Sequence, residues 1–162
     1  MKTIQIQAGK TESKPKKPIL VVEEEPNDIM FIRQAFQSAG LKEPLHVVSD
    51  SAEAIEYLQG QNAFDDRQRY PFPVLVLLDL RMGRKDGIDL LRWLRERPQI
   101  RRRIVVVGWT EVDLPTLANR AYDLGANSVL VKPFDYNQMV RAASLLQQYW
   151  LDLNLLPDGA QN

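Results

Sequence analysis

The sequence predicts an α/β protein, a doubly wound five-stranded parallel sheet with five helices. Short apolar runs alternate with helical patterns five times along the chain, and three of the runs are nearly continuous Val, Leu and Ile. Continuous apolar runs are typical of strands covered on both faces, and strand–helix alternation indicates parallel βα units. The predicted strands are residues 19–23, 45–49, 74–79, 104–109 and 128–131.

Each predicted strand is followed by a helix with apolar residues at helical spacing. The limits of these helices are marked by glycine, serine or proline, which favour helix ends. The markers are Gly40 after the first helix, Ser51 before the second, Pro98 after the third, and Pro115 and Gly125 at the two ends of the fourth. The fifth helix is predicted over residues 135–150.

The composition excludes several classes of protein. The 162 residues are 44% hydrophobic and 26% charged, which suits one globular domain with a buried core. Basic and acidic residues number 21 each, so the net charge gives no reason to expect a nucleic acid or a membrane as partner. The absence of cysteine excludes disulfides and thiolate metal sites, and no apolar run approaches the length of a membrane span. We expect a cytoplasmic protein.

The chain divides into three segments. Residues 1–17 are rich in Lys, Ser, Thr and Pro and contain little to bury, so they are predicted to form a flexible N-terminal arm. This arm lacks the apolar region of a secretory signal. Residues 18–150 are the predicted domain, and residues 151–162 are a C-terminal tail.

Side chains capable of chemistry follow four of the five predicted strands. They are Glu23 and Glu24 after the first strand, Asp79 at the end of the third, Thr110 after the fourth and Lys132 after the fifth. The carboxyl ends of parallel strands meet at one rim, where such sheets bind ligands, so we expect these side chains to lie close together. Each alone could be a cap or a turn residue, but four such positions indicate a functional site.

The order of these residues resembles that of the receiver domains of two-component response regulators, which have the flavodoxin-like fold of the chemotaxis regulators. The resemblance covers about residues 18–150. Four motifs carry it: VVEEEPND (21–28), LLDLRMGRKDG (77–87), WT (109–110) and LGANSVLVKPF (124–134). The ending YWLDLNLLP (149–157) is also similar to single-domain regulators that partner phytochrome-type histidine kinases.

The resemblance implies that Asp79 accepts a phosphoryl group from a phosphohistidine on a partner histidine kinase. It also implies a Mg²⁺ ion that neutralises charge between the carboxylate and the anionic donor. The implied metal ligands are Glu24, Asp79 and the backbone carbonyl of Arg81, with Glu23 assisting through water. Such a protein is a phosphoacceptor that at most catalyses its own phosphorylation and dephosphorylation.

In this family a lysine and a hydroxyl contact the phosphoryl oxygens, and the resemblance assigns these roles to Lys132 and Thr110. Counting forward from Asp79 places Trp109 in the position of the hydroxyl, whereas counting back from Lys132 places Thr110 there. We choose Thr110, which requires one extra residue in the preceding turn. The resemblance also implies a cis bond before Pro133.

Several residues depart from the family pattern. Glu24 stands where Asp is usual, and Mg²⁺ tolerates little deviation from octahedral distances. Arg81 stands where a shorter polar side chain is common, and Val129 replaces the usual aromatic. These departures keep a second hypothesis open, in which the chain is a degenerate receiver that binds a partner without phosphorylation.

An enzyme on the same architecture is a third possibility with less support. Haloacid-dehalogenase-type phosphatases also use an aspartate after a strand, but they need a second acid two residues later, where this chain has Arg81. Dinucleotide binding is disfavoured because no glycine-rich phosphate loop follows the first strand.

The sequence also suggests protein partners. The last predicted helix is apolar over more than one stripe, which predicts a homodimer through the fourth and fifth helices. By resemblance, a kinase would dock on the apolar edge of the first helix, residues 29–32. The arginine-rich stretch 92–103 is interpreted as a solvated face, with no nucleic acid partner.

Overall fold

The computed structural model describes residues 16–83, 87–111 and 115–156. Five parallel strands form one sheet in the order β2-β1-β3-β4-β5, which confirms the predicted sheet and has the doubly wound, flavodoxin-like order. The strands are β1 (Ile19–Val22), β2 (Leu45–Val48), β3 (Leu75–Asp79), β4 (Val105–Thr110) and β5 (Ser128–Val131).

The described residues contain six α-helices rather than the predicted five. They are α1 (Pro26–Ser38), α2 (Ser51–Gln59), α3 (Gly87–Arg95), α4 (Pro98–Arg101), α5 (Pro115–Asp123) and α6 (Tyr136–Leu146). The additional helix is the single turn α4, because Pro98 begins a new helix instead of only ending α3. Proline suits the first helical turn, where its missing N–H would have no partner. None of the helices in these ranges is long and apolar enough to cross a membrane.

Two apolar layers cover the two faces of the sheet, which explains the nearly continuous apolar runs. Successive strand residues point to opposite faces. One set packs with residues of α2 and α3 and includes Leu20, Val22, Val76, Leu78 and Val106. The other packs with residues of α1 and α6 and includes Ile19, Val21, Leu75, Leu77 and Val107. The two layers fix the strand ends that carry the predicted site.

The structure describes contacts and helical backbone at both predicted segment boundaries. Most of the predicted arm lies outside the described residues, but the backbone N–H of Lys17 donates to the Glu43 carboxylate at 2.7 Å and its ammonium contacts the Leu151 carbonyl. Beyond α6 the backbone continues as a π-helical segment, Gln147–Leu153, in which Leu151 is buried against the layer of α1 and α6. Helical structure therefore extends past residue 150, where the domain was predicted to end.

The predicted cis bond before Pro133 is wrong for this structure, since the described residues contain no cis peptide bond. The trans isomer is favoured even before proline, and the sequence alone does not select the alternative.

Candidate functional site

Three of the predicted site residues meet at the carboxyl edge of the sheet. The Lys132 ammonium donates to Glu23 Oε2 at 2.9 Å and to Asp79 Oδ2 at 3.1 Å. Glu23 follows β1, Asp79 ends β3 and Lys132 follows β5, and all three side chains are buried. The strands therefore bring two carboxylates and one ammonium into a single buried cluster.

Asp28 is a fourth member of this cluster that the sequence analysis missed. It lies in the first turn of α1, and its Oδ2 accepts from the Lys132 ammonium at 2.7 Å. A buried ammonium has three N–H donors, and Glu23 and Asp79 satisfy only two. The third N–H of Lys132 therefore predicts a further acidic residue in the cluster. Asp28 is that residue, because α1 places its carboxylate within hydrogen-bond distance.

Burial and the charges of the cluster both shift the pKa values of its members. Burial raises the pKa of both Glu23 and Asp79, although hydrogen bonds from backbone N–H groups and from Lys132 oppose the shift. Burial alone lowers the pKa of Lys132, but its hydrogen bonds to Asp28 and Glu23 and the nearby charge of Asp79 outweigh that effect and raise it. Lys132 is thus a permanent positive charge at neutral pH beside an aspartate in a desolvated setting.

The backbone around Asp79 is closely fitted. Asp79 Oδ1 accepts from the Arg81 N–H at 2.8 Å, so both carboxylate oxygens are engaged. Gly87, the first residue of α3, packs directly on Asp79: a Cβ there would lie 2.1 Å from the Asp79 carbonyl oxygen. Only glycine fits this contact, which gives a physical reason for the glycine of the predicted phosphoacceptor loop.

Glu24 lies apart from the buried cluster. Its exposed carboxylate accepts from the Gly83 N–H at 2.7 Å and so joins the turn after β1 to the loop after β3. Within the described ranges, no group of three or more acidic or histidine side chains is arranged to hold a metal ion. The oxygen donors of Glu23, Glu24 and Asp79 have the chemistry that Mg²⁺ prefers, but Glu24 Oε1 is bound to the Gly83 N–H and the three carboxylates are not gathered around one point.

The strand register separates Trp109 from Thr110. Asp79 is the partner of Trp109 in the β3–β4 ladder, and registered residues of parallel strands share a face. Trp109 packs in the layer of α1 and α6, and the Lys132 ammonium lies 5.9 Å from its ring centre. The next residue, Thr110, points to the other face, and its buried hydroxyl has no hydrogen-bond partner among the residues described. The register therefore places Trp109 beside Asp79, the same residue that counting forward from Asp79 along the sequence gives.

Comparison with known proteins identifies the family. Residues 19–144 match the response regulator receiver domain. The chain belongs to this family. Among its relatives, Response regulator Rcp1 of Synechocystis sp. is 28% identical over 146 residues, which cover 90% of this chain and 97% of Rcp1.

Solved structures of response regulators share the fold of this receiver domain. The structure of RPA3017, described as a response regulator in red light signaling of R. palustris, has a TM-score of 0.82 and 33% identity, covering 87% of this chain and 98% of that one. Phosphorylated RcpA, a cyanobacterial phytochrome response regulator, has a TM-score of 0.78 and 28% identity, covering 88% and 99%. The Mn²⁺-bound form of Rcp1 has a TM-score of 0.75 and 27% identity, covering 87% and 99%.

One apolar surface of the receiver domain lies beside the buried cluster. On α1, Met30 and Phe31 are exposed, whereas Ile32 is fully buried in the core. The predicted docking edge over residues 29–32 is therefore narrower than expected, because helical periodicity turns Ile32 inward. Phe31 lines a small depression together with the exposed Phe134, two residues after Lys132.

A second apolar surface lies on β5 and α6. A depression of about 450 Å³ is lined by residues of both elements, including Leu130 and Leu146. Leu145 and Tyr149 line it too, and each is 56% exposed. The helix predicted as the fourth, α5, lies next to β5, since the exposed Tyr122 accepts from the Val129 N–H at 3.1 Å through its hydroxyl. Exposed apolar side chains gathered in one place are typical of a protein interaction surface.

Proposed function

We propose that this receiver domain accepts a phosphoryl group on Asp79 from a partner histidine kinase and signals through a change in its interaction surfaces. The observation that carries the proposal is the buried Asp79 carboxylate, held by Lys132 at the end of β3 in a member of this family. A carboxylate oxygen would bond to phosphorus as the phosphorus–nitrogen bond of the phosphohistidine breaks, and the imidazole nitrogen would keep the electron pair and take a proton from water. Lys132 would then pair with a phosphoryl oxygen.

A Mg²⁺ ion is part of the proposal. Glu23, Glu24, Asp79 and the backbone carbonyl of Arg81 would hold it, and the ion would neutralise charge on the phosphoryl oxygens. The oxygen-rich donor set and the Mn²⁺-bound form of Rcp1 support this assignment. In binding, Glu24 would exchange its contact with the Gly83 N–H for the metal.

Intact mass spectrometry tests the function. Incubation with acetyl phosphate is expected to add the mass of one phosphoryl group only when Mg²⁺ is present, and Asp79→Asn is expected to add none. The matched control is Asp89→Asn, which removes an exposed carboxylate on α3 and should leave the gain intact. A phosphorylated phytochrome-type kinase is the second donor, because the similar protein RcpA is a phytochrome response regulator.

The alternative is a degenerate receiver that binds partners without phosphorylation. It is favoured by the hydrogen bonds that already occupy both oxygens of Asp79 and by the engagement of Glu24 with Gly83. No mass gain from either donor would support this alternative and contradict the phosphoacceptor proposal.

The proposed role of Thr110 has a competitor in Trp109. Thr110 points to the face of the sheet opposite Asp79, whereas Trp109 lies on the same face as Asp79. In a Trp93→Phe, Trp150→Phe background, we expect phosphorylation to change the fluorescence of Trp109, and the change to persist after Thr110→Val. Loss of the change in a Thr110→Val protein that is still phosphorylated would show instead that Thr110 transmits the signal.

The exposed apolar surfaces provide the proposed partner sites. The histidine kinase would dock at Met30, Phe31 and Phe134, which are exposed near the acceptor. A second copy of this chain would cover the surface on β5, α5 and α6, because a partner there would shield Leu145 and Tyr149 from water.

Light scattering coupled to size exclusion tests the homodimer. We expect a dimer at micromolar concentration that Leu145→Arg converts to a monomer, since a charge would be buried at the contact. Gln68→Arg, at an exposed position in the segment before β3, is the matched control and should stay dimeric. A wild-type monomer would contradict the proposal.

A further inference from the structure

We propose that Asp28 is a positioning residue that competes with the phosphoryl group for Lys132 and thereby slows phosphorylation. This role rests on the proposed phosphorylation of Asp79. The geometry points to it because, of the three carboxylates on the Lys132 ammonium, Asp28 makes the shortest contact, 2.7 Å, and Asp79 the longest, 3.1 Å.

The donors of Lys132 are fully used before any phosphoryl group arrives. An ammonium has three N–H groups, and Glu23, Asp28 and Asp79 each accept one contact. An incoming phosphoryl oxygen can therefore bind Lys132 only by displacing a carboxylate. Displacement slows the step, because the phosphoryl oxygen must exchange with a partner of the same charge that is already in place.

Asp28 is the partner whose removal disturbs the fold least. Its side chain is 21% exposed, whereas that of Glu23 is 1% exposed. Water can replace the contacts of Asp28, but the buried Glu23 would be left without its cation if Lys132 moved away. Asp28 also adds a negative charge to a site that must receive an anionic donor. Both effects of Asp28 act in the same direction, against phosphoryl transfer.

The rate of phosphorylation by acetyl phosphate, with Mg²⁺ present, tests this role. In the reaction a carboxylate oxygen of Asp79 bonds to phosphorus, the phosphorus–oxygen bond to the acetyl group breaks and acetate leaves with the electron pair. We expect Asp28→Asn, which keeps the shape and removes the charge, to raise the rate about threefold to tenfold. Asp28→Ser is a second variant that should act in the same direction.

Glu25→Gln is the matched control. Glu25 is an exposed acid in the turn just before α1, and it contacts the cluster through its backbone N–H, which donates to Glu23. We expect its rate to stay within about twofold of the wild type, because an exposed carboxylate that makes no contact with Lys132 is screened by water and salt. An equal acceleration in Glu25→Gln would show a general effect of charge and overturn the role of Asp28.

The lifetime of the phosphorylated protein distinguishes two causes of a faster rate: release of Lys132 from Asp28, and a general loosening of the site by the substitution. If Asp28 competes for Lys132, the freed donor stays on the phosphoryl group, and the lifetime in Asp28→Asn should equal or exceed that of the wild type. A shorter lifetime, or no acceleration in either Asp28 variant, would overturn the inference while the proposed function stands. A wild-type protein that gains no phosphoryl group would overturn the proposed function and this role with it.

Discussion

Lys132→Met is expected to lower the free energy of unfolding at pH 7 by about 3–5 kcal/mol. The substitution keeps much of the side-chain volume but leaves Glu23 and Asp79 buried without their cation. Removing one member of a buried ion cluster is more harmful than removing a surface charge, because the remaining charges cannot regain water. Urea unfolding without divalent cations measures the effect.

The loss is expected to depend on pH, with a defined sign. The pKa values of Glu23 and Asp79 are raised above 4.5 and 3.8, and loss of the Lys132 charge should raise them further. A carboxyl group with a raised pKa binds more protons in the folded state, so its contribution to stability is lost as the pH rises through the folded value. The difference between Lys132→Met and the wild type should therefore shrink as the pH falls from about 7 to about 5.

Lys132 does not itself titrate within this pH range. Its pKa is raised above 10.5, so the stability from its charge is fully present below that value and is lost only at more alkaline pH. Lys42→Met, at an exposed position, is the matched control and should change the stability by less than about 0.5 kcal/mol. A loss below about 1 kcal/mol in Lys132→Met, or a loss that grows on acidification, would contradict the buried ion cluster.

The sheet and the acceptor edge could be predicted from the sequence because both depend on local patterns. A strand covered on both faces has a continuous apolar sequence, as β3 does. A parallel sheet places the carboxyl ends of its strands at one edge. Asp79 and Lys132 were found in this way. Asp28 was not, because its position depends on how the first turn of α1 is oriented over the sheet.

The position beside Asp79 could not be predicted because it depends on register. A shift of one residue turns a strand side chain to the opposite face, and counting from Asp79 or from Lys132 gave residues that differ by one. In the β3–β4 ladder Asp79 is paired with Trp109, so the Trp109 side chain, and not that of Thr110, shares the face of Asp79. Sequence spacing alone cannot choose between Trp109 and Thr110. The count forward from Asp79 includes the turn before β4, whose length the sequence does not fix, whereas the count back from Lys132 does not include it.

Gly87→Ala is expected to disrupt the acceptor through a single methyl group. The new Cβ would lie 2.1 Å from the Asp79 carbonyl oxygen and 3.0 Å from the Leu80 Cα, which are backbone atoms that no rotamer change can move. Either the start of α3 or the end of β3 must shift. We expect a loss of about 3 kcal/mol in stability and, because Asp79 moves relative to Lys132, about a hundredfold slower phosphorylation.

Gly83→Ala provides the matched comparison in the same loop. A Cβ there would lie 3.6 Å from the Glu24 carboxylate, an ordinary contact, so stability should change by less than about 1 kcal/mol and phosphorylation should persist. Urea unfolding and the rate of mass gain from acetyl phosphate measure both effects. Equal behaviour of the two variants would mean that α3 does not pack on the Asp79 backbone as the structure has it. A selective loss in Gly87→Ala would show that the position of Asp79 depends on this contact, since only in that variant does the methyl group meet backbone atoms of β3 and the residue after it.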